Sequence, residues 1–306
     1  MSFAAQESAL LDLLFDPALR AAFRREGPAA LAGRGLTPAE CADFATVRVE
    51  ALEMDARARV NFILAQYCRS YPLGFSLLSS LPQGLDLLRA LVDAPLLRLP
   101  PNERVARFGL QLRDRLAEAG DAGGPRGQAL LRSVVEAELG MAWTAQQARA
   151  AALAGEAAAP PRPMPPDWLS QPLALAPLTS AAVLPRPYAE LRRELCPCTG
   201  AELWRQLGRA PLDPARRQAV LGRPDLRLLV ARAVVAATGS CEPVAEHVTV
   251  ELGEGFARLL PHVDGRHSVS ALLAQLRAAG ADDALLSGVL AGFRELARQG
   301  MVQLAA

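Results

Sequence analysis

Apolar positions recur every three or four residues over most of the first half of the chain, which predicts helix. Leu10, Leu11, Leu13 and Leu14 make an apolar start, and Leu19, Phe23 and Leu31 continue the face. Asp16-Pro17 supplies an N-cap and a proline at the first helical position, where its missing N–H costs nothing. Gly35 reads as a stop, and Thr37-Pro38-Ala39-Glu40 as a capping box. A long pattern follows through Phe44, Val47, Ala51, Met54 and Ala58. Another run opens at Tyr71-Pro72-Leu73-Gly74-Phe75 and continues through Leu85, Leu88, Leu91 and Val92, until Pro95, Pro100 and Pro101 end it. Residues 104–118 and 127–153 read as two more helices. The second is expected to break near Thr144, where Thr144 and Gln147 form a capping pair.

The pattern collapses between Pro160 and Pro187, where nine prolines exclude continuous helix. The apolar residues Trp168, Leu169, Leu173, Leu175, Leu178, Val183 and Leu184 argue against a free, solvated tether. An arm of extended character, lying along a surface of this chain or of a partner, is the expectation. Residues 188–240 return to helix, with a capping box at Thr199-Gly200-Ala201-Glu202 and a capped start at Asp213-Pro214. Residues 223–235, rich in Leu and Val, fit either a short strand or a buried helix.

The last sixty residues differ again. Val248, Val250 and Leu252 alternate with His247, Thr249 and Glu251, the pattern of a half-buried strand. A helix-sized segment, the turn Val263-Asp264-Gly265-Arg266-His267-Ser268, two more helical patterns and a closing Gly300-Met301-Val302-Gln303-Leu304 follow. This order predicts a small winged-helix unit with 247–252 at the edge of its three-stranded sheet. The expected fold is therefore mainly α: a helical domain over 1–155, a proline-rich arm over 156–187, and an α+β winged-helix domain closing 188–306.

An edge strand carries unpaired N–H and C=O groups. An extended peptide can add itself there, its backbone giving affinity and side-chain pockets giving register. His247, Val248, Thr249, Val250, Glu251 and Leu252 are the candidate peptide-binding residues. Tyr71, Pro72, Phe75 and Trp168 are candidates for a protein–protein interface.

Composition narrows the classes. Net charge is +1 and every basic residue is Arg, as a GC-rich coding bias would produce. No basic excess or stripe marks a nucleic-acid binder. No apolar run reaches membrane-spanning length, the best, near residues 73–97, being broken by Pro82 and Asp86. Without a basic start, apolar core and cleavage site at its beginning, the expectation is a cytoplasmic protein. Five scattered cysteines give no disulfide framework.

Candidate chemistry is sparse. His247, His262 and His267, with Cys241 and Asp264 nearby, fit no zinc spacing, so no metal site is expected. Cys196-Pro197-Cys198 has one residue, not two, between its cysteines, and reads as structural. Ser76, Ser79 and Ser80 stand in no nucleophile elbow, and no glycine-rich phosphate loop occurs. Asp282-Asp283 complements a helix start. No catalytic residue and no cofactor of this chain are expected.

Two resemblances add to this reading. The segment Leu259-Leu260-Pro261-His262-Val263-Asp264-Gly265-Arg266-His267-Ser268-Val269, with Leu272, Leu273, Leu290, Phe293, Leu296 and Gly300-Met301-Val302, resembles the leader-peptide recognition domains of ribosomally made, modified peptides. It is also similar to the C-terminal winged segment of methyltransferase regulatory domains. Phe15-Asp16-Pro17-Ala18-Leu19-Arg20-Ala21-Ala22-Phe23, then Gly35-Leu36-Thr37-Pro38-Ala39-Glu40, resembles the small helical subunit of ring-opening aromatic dioxygenases. It is similar too to the partner proteins of multinuclear iron oxygenases that make methanobactin and thiaglutamate peptides. This chain is longer than those partners and carries the proline-rich arm. The resemblance implies a non-catalytic subunit that binds a precursor peptide and an iron-containing catalytic protein, the iron residing in that partner. The alternatives are a winged-helix transcriptional or methyltransferase regulator, separated by the near-neutral charge of the last sixty residues, and an enzyme whose site is assembled only in three dimensions.

Overall fold

A computed structural model describes residues 3–118, 124–156, 164–222, 225–236 and 243–305. The first half is helical, as its periodicity requires. α1 (Phe3–Phe15), α2 (Pro17–Glu26), α3 (Pro38–Phe44) and α4 (Val49–Tyr67) open the chain, and α5 (Pro72–Ser79), α6 (Gly84–Ala90), α7 (Ala94–Arg98), α8 (Pro101–Glu118) and α9 (Pro125–Leu153) follow. The Asp16 carboxylate accepts the N–H groups of Ala18 and Leu19, and the Thr37–Glu40 capping box is complete.

Several boundaries differ from the periodic reading. The pattern through Phe44 and Ala58 is two helices, parted at 45–48, and the run from Tyr71 to Val92 breaks at Pro82, with Gln83 left-handed at φ 59°. α9 does not break at Thr144. The Thr144 hydroxyl turns back onto the carbonyls of Gly140 and Met141, so it caps nothing and the helix runs on. Thr199 makes no side-chain cap bond, and the Gly200 that follows it is left-handed at φ 58°.

The second half is α10 (Tyr188–Leu195), α11 (Gly200–Arg209), α12 (Pro214–Val220), α13 (Glu254–Leu259), α14 (Val269–Ala278) and α15 (Asp283–Arg298), with strands between. The proline-rich arm supplies two strands, β1 (Pro172–Leu175) and β2 (Thr179–Leu184). Pro172 stands at the first strand position, where a missing N–H is tolerated. β3 (Arg227–Ala236) resolves the ambiguous stretch as strand, β4 (Val244–Gly253) contains the alternating run, and β5 (Asp264–Ser268) and β6 (Val302–Leu304) complete the set.

Two antiparallel sheets result, ordered β2-β3-β4 and β5-β1-β6. This corrects the expected sheet. The closing strand β6 pairs with β1 of the arm, not with residues 247–252, and the supposed turn at 264–268 is a strand pairing with β1. The arm is thus the central strand of one sheet and an outer strand of the other. Its prolines 160, 161 and 163 lie outside the described residues.

The β2-β3-β4 sheet lies between two cores. On β3, Leu229 and Ala231 join the core built by α1–α12, while Leu228 and Val230 join the core of the C-terminal helices. Adjacent side chains of a strand point to opposite faces, so one strand serves both. α9 covers one face, where Gly140 lets the helix approach: a Cβ there would stand 3.0 Å from Ser180 Cβ. α13 and α15 cover the other, with Phe256 and Phe293 in ring contact at 4.7 Å.

Gly109 of α8 allows a similar approach. A Cβ there would lie 2.1 Å from the hydroxyl oxygen of Tyr71, which donates to the Val105 carbonyl. Gly109→Ala gains about 1 kcal/mol of helix propensity but overpacks the core by about 1–3 kcal/mol or more. The expected net result is a loss of about 1–2 kcal/mol in denaturant unfolding, partly recovered by adding Tyr71→Phe. A stabilised Gly109→Ala protein would contradict this packing.

Candidate functional site

The open edge of β4 is the strongest candidate, and its geometry follows from the register. Ala233 donates its N–H to Leu178, across the β2 side of β3. Backbone groups alternate sides along a strand. Val230 and Arg232 therefore bond toward β4, where their opposite numbers are Val250 and Val248. The backbone N–H and C=O groups of His247, Thr249 and Glu251 then point away from β3, along the outer edge. The sequence expectation of an edge strand at 247–252 holds, in a different sheet from the one expected.

Side chains of the same residues sort by face. Val248, Val250 and Leu252 pack against the C-terminal core. The Nε2–H of His247 donates to the Met141 carbonyl at 2.9 Å, and the Glu251 carboxylate accepts the Ala189 N–H at 2.9 Å in the first turn of α10. Thr249 is exposed. Burial, with help from the Arg149 charge, lowers the His247 pKa against the opposing pull of the Met141 carbonyl. The apolar face and the His247 and Glu251 side chains are thus committed to the protein, and among the described residues no partner is recorded for the outward backbone groups.

The three candidate interface residues of α5 and its approach are core, which corrects that assignment. Tyr71 and Phe75 are fully buried and Pro72 is buried beside them. Tyr71 and Phe75 pack on Phe108, and Phe75 meets the Trp204 ring edge-on at 5.7 Å. An aromatic–proline cluster at a helix start was here filling the interior. Trp168 sits on a short 3-10 turn, half-buried against the C-terminal core.

The residue most conspicuous in the interior, Glu138 of α9, carries no motif. Its carboxylate is fully buried, accepts the N–H groups of Leu73 and Gly74 at 2.9 Å each, and takes the Tyr188 hydroxyl at 3.2 Å. It closes the N-terminal end of α5, where two N–H groups would lack partners. Burial raises its pKa to about 7, against the lowering effect of those hydrogen bonds and of the Arg192 charge. The sequence signal was an acid on the apolar stripe: Leu131, Val134 and Val135 recur at helical spacing into position 138.

The thiols near it are inert. Burial pushes Cys196 up to about 11 and Cys68 higher, and Ser76 Oγ lies 3.4 Å from the Cys196 sulfur. Nucleophilic or metal-binding thiols need the opposite shift. Half-buried Cys198 contacts Gln206, so the Cys-Pro-Cys pair does not converge on one site. The histidines separate as well: His262 and His267 stack edge-on at 5.6 Å with Asp264 at 3.2 Å from His267, while His247 is held against α9. Cys241 lies outside the described residues. Among the described residues no group of three or more His, Cys, Asp and Glu could hold a metal, and no helix is long and apolar enough to cross a membrane.

Comparison with protein-family models, with curated proteins and with solved structures returned no match.

Glu138 gives a pH signature. Its folded pKa lies above the unfolded carboxylate value of about 4.3, so the stability it contributes is complete below that value and is lost as pH rises through about 7. The total change is about 4 kcal/mol. Glu138→Gln removes this slope: the variant trails the wild type at pH 5, and the gap narrows by about 3 kcal/mol by pH 8. Urea titrations at both pH values check it. Parallel pH profiles would show that Glu138 keeps its proton equilibrium unchanged on folding.

Proposed function

We propose that this chain is a non-catalytic binding subunit. It takes an extended precursor peptide as an added strand on β4 and presents it to an iron-dependent oxygenase that does the chemistry. The observation that carries the reading is the alternation on β4, with the backbone groups of His247, Thr249 and Glu251 directed out of a ten-residue edge. β-Strand addition needs such a row of free groups and little from the side chains beneath it. The class of peptide and the iron partner come from the resemblances. The C-terminal unit, three helices against a small sheet, is read as a winged helix whose central strand the arm supplies.

The sheet's burial supports a docking role over an inert one. α9 and the C-terminal helices cover both faces, so the edge is rigidly held and its free groups are preorganised. A rigid edge avoids part of the ordering cost that a flexible one would incur on binding.

Thr249→Pro isolates the claim. Proline removes an outward N–H while the β3–β4 bonds through Val248 and Val250 remain. Titration calorimetry with candidate leader peptides should show binding by the wild type that the variant weakens at least tenfold, about 1.4 kcal/mol, with nearly unchanged thermal stability. Val250→Pro, which breaks a ladder bond, should destabilise the fold instead. Equal affinity of Thr249→Pro and the wild type, or no binding by the wild type, defeats the proposal.

A further inference from the structure

A second surface lies far from this logic, on the N-terminal helices. α1 and α4 pack side by side and, with α7 and the start of α8, leave an open groove of about 970 Å³. Leu11, Leu14, Ile63 and Leu97 line it. Leu10 and Phe62 stand at its lips, 41% and 67% exposed. Phe3 and Met54, on the same two helices but outside the groove lining, are 77% and 72% exposed. Phe3, Met54 and Phe62 are the three most exposed large apolar side chains among the described residues. Single exposed apolar residues are ordinary; a group of them around an apolar groove marks an interaction surface.

Arginines dominate the charged lining of the groove itself. Arg59, Arg98 and Arg104 line it against one acid, Glu7. Arg59 is paired with Asp55 and Arg98 with Asp12. Arg104 has no carboxylate within 4.0 Å among the described residues, its Nε donating to the Leu99 carbonyl. Across α4 a second hollow holds Arg20, Arg57 and Arg89 against Glu53 and Asp86. Arg104 is therefore the groove arginine left without a carboxylate partner among the described residues, and the hollow across α4 adds a small basic excess.

The geometry points to a docking site for an amphipathic α-helix of another protein, apolar on one face and flanked by carboxylates. A groove between two helices accepts a third, anchored at positions i, i+3 or i+4, and i+7. α4 is 19 residues long, about 28 Å, enough for several turns of a bound helix. Nucleic acid fits poorly, since the floor is apolar. A second copy of this chain would set arginine against arginine. That the helix belongs to the oxygenase rests on the proposed function; the groove and its charge do not.

The test uses the full chain and two synthetic, labelled 18-residue helices. Both carry Leu on one face; one is flanked by Glu and its twin by Lys. Fluorescence anisotropy should show the Glu helix binding at least tenfold tighter than the Lys twin. Phe62→Asp should weaken the Glu helix at least tenfold, and Arg104→Glu should erase or reverse the preference. Thr249→Pro should change neither, which separates this surface from the β4 edge. Circular dichroism melting checks that the substitutions, at exposed Phe62 and half-buried Arg104, leave the fold intact. Equal binding of both helices, no binding of either, or indifference to Phe62→Asp and Arg104→Glu overturns the inference. So does self-association in sedimentation that Phe62→Asp abolishes, which would assign the face to a second copy.

Discussion

The structure depends on one constraint: a single strand must satisfy two cores at once. β3 gives Leu229 and Ala231 to the helical core and Leu228 and Val230 to the C-terminal one. A strand buried on both faces reads as a nearly unbroken apolar run, and Leu228-Leu229-Val230-Ala231 is such a run. Shifting the register by one residue would swap every side chain between the cores. The neighbouring strands inherit this discipline. On β2, Ala182 packs toward the helical core and Ala181 toward the other, and on β4 the valines and Leu252 face the C-terminal helices. With both faces covered, the sheet meets its surroundings only at its outer strands.

A buried carboxylate ties the helical half to the segment that follows the arm. Glu138 projects from α9, closes the start of α5 and holds Tyr188 of α10. Removing a partner from a buried charged group leaves the remaining groups unsatisfied, which costs more than the net worth of any one bond. Arg232 makes a similar tie on the other side of the sheet, its guanidinium reaching the Gln299 carbonyl at the end of α15. The Glu251 carboxylate at the first turn of α10 adds a third. These contacts explain why residues far apart in sequence share one architecture.

Local signals in the sequence were read well, and long-range ones less so. Asp16, Thr37, Asp213 and Asp282 cap helices because a short acceptor side chain reaches its own backbone, a purely local event. Thr144 and Thr199 have the same composition signature without the bond, since Thr144 lies inside a helix held by its neighbours and Thr199 is followed by a left-handed Gly200. The strand at 247–252 was legible from alternation alone. Its sheet was not: the partner β3 read equally as strand or buried helix, and β1 and β2 hide in a proline-rich stretch whose composition suggested an arm. Tyr71 and Phe75 were misplaced for the same reason, because burial depends on Phe108 and Trp204 arriving from elsewhere. Glu138 was visible only as an acid on an apolar stripe.

The account of function rests on backbone groups, which sequence identity at β4 only permits. Side chains of His247 and Glu251 are engaged with α9 and α10, which leaves the outward N–H and C=O groups for the proposed peptide. Residue-resolved amide hydrogen exchange with and without the precursor peptide tests this most directly. The account predicts new protection at the amides of His247, Thr249 and Glu251, with little change at Val248, Val250 and Leu252, which already bond to β3. Protection spread evenly along 247–252, or confined to the C-terminal helices and β6, would contradict it.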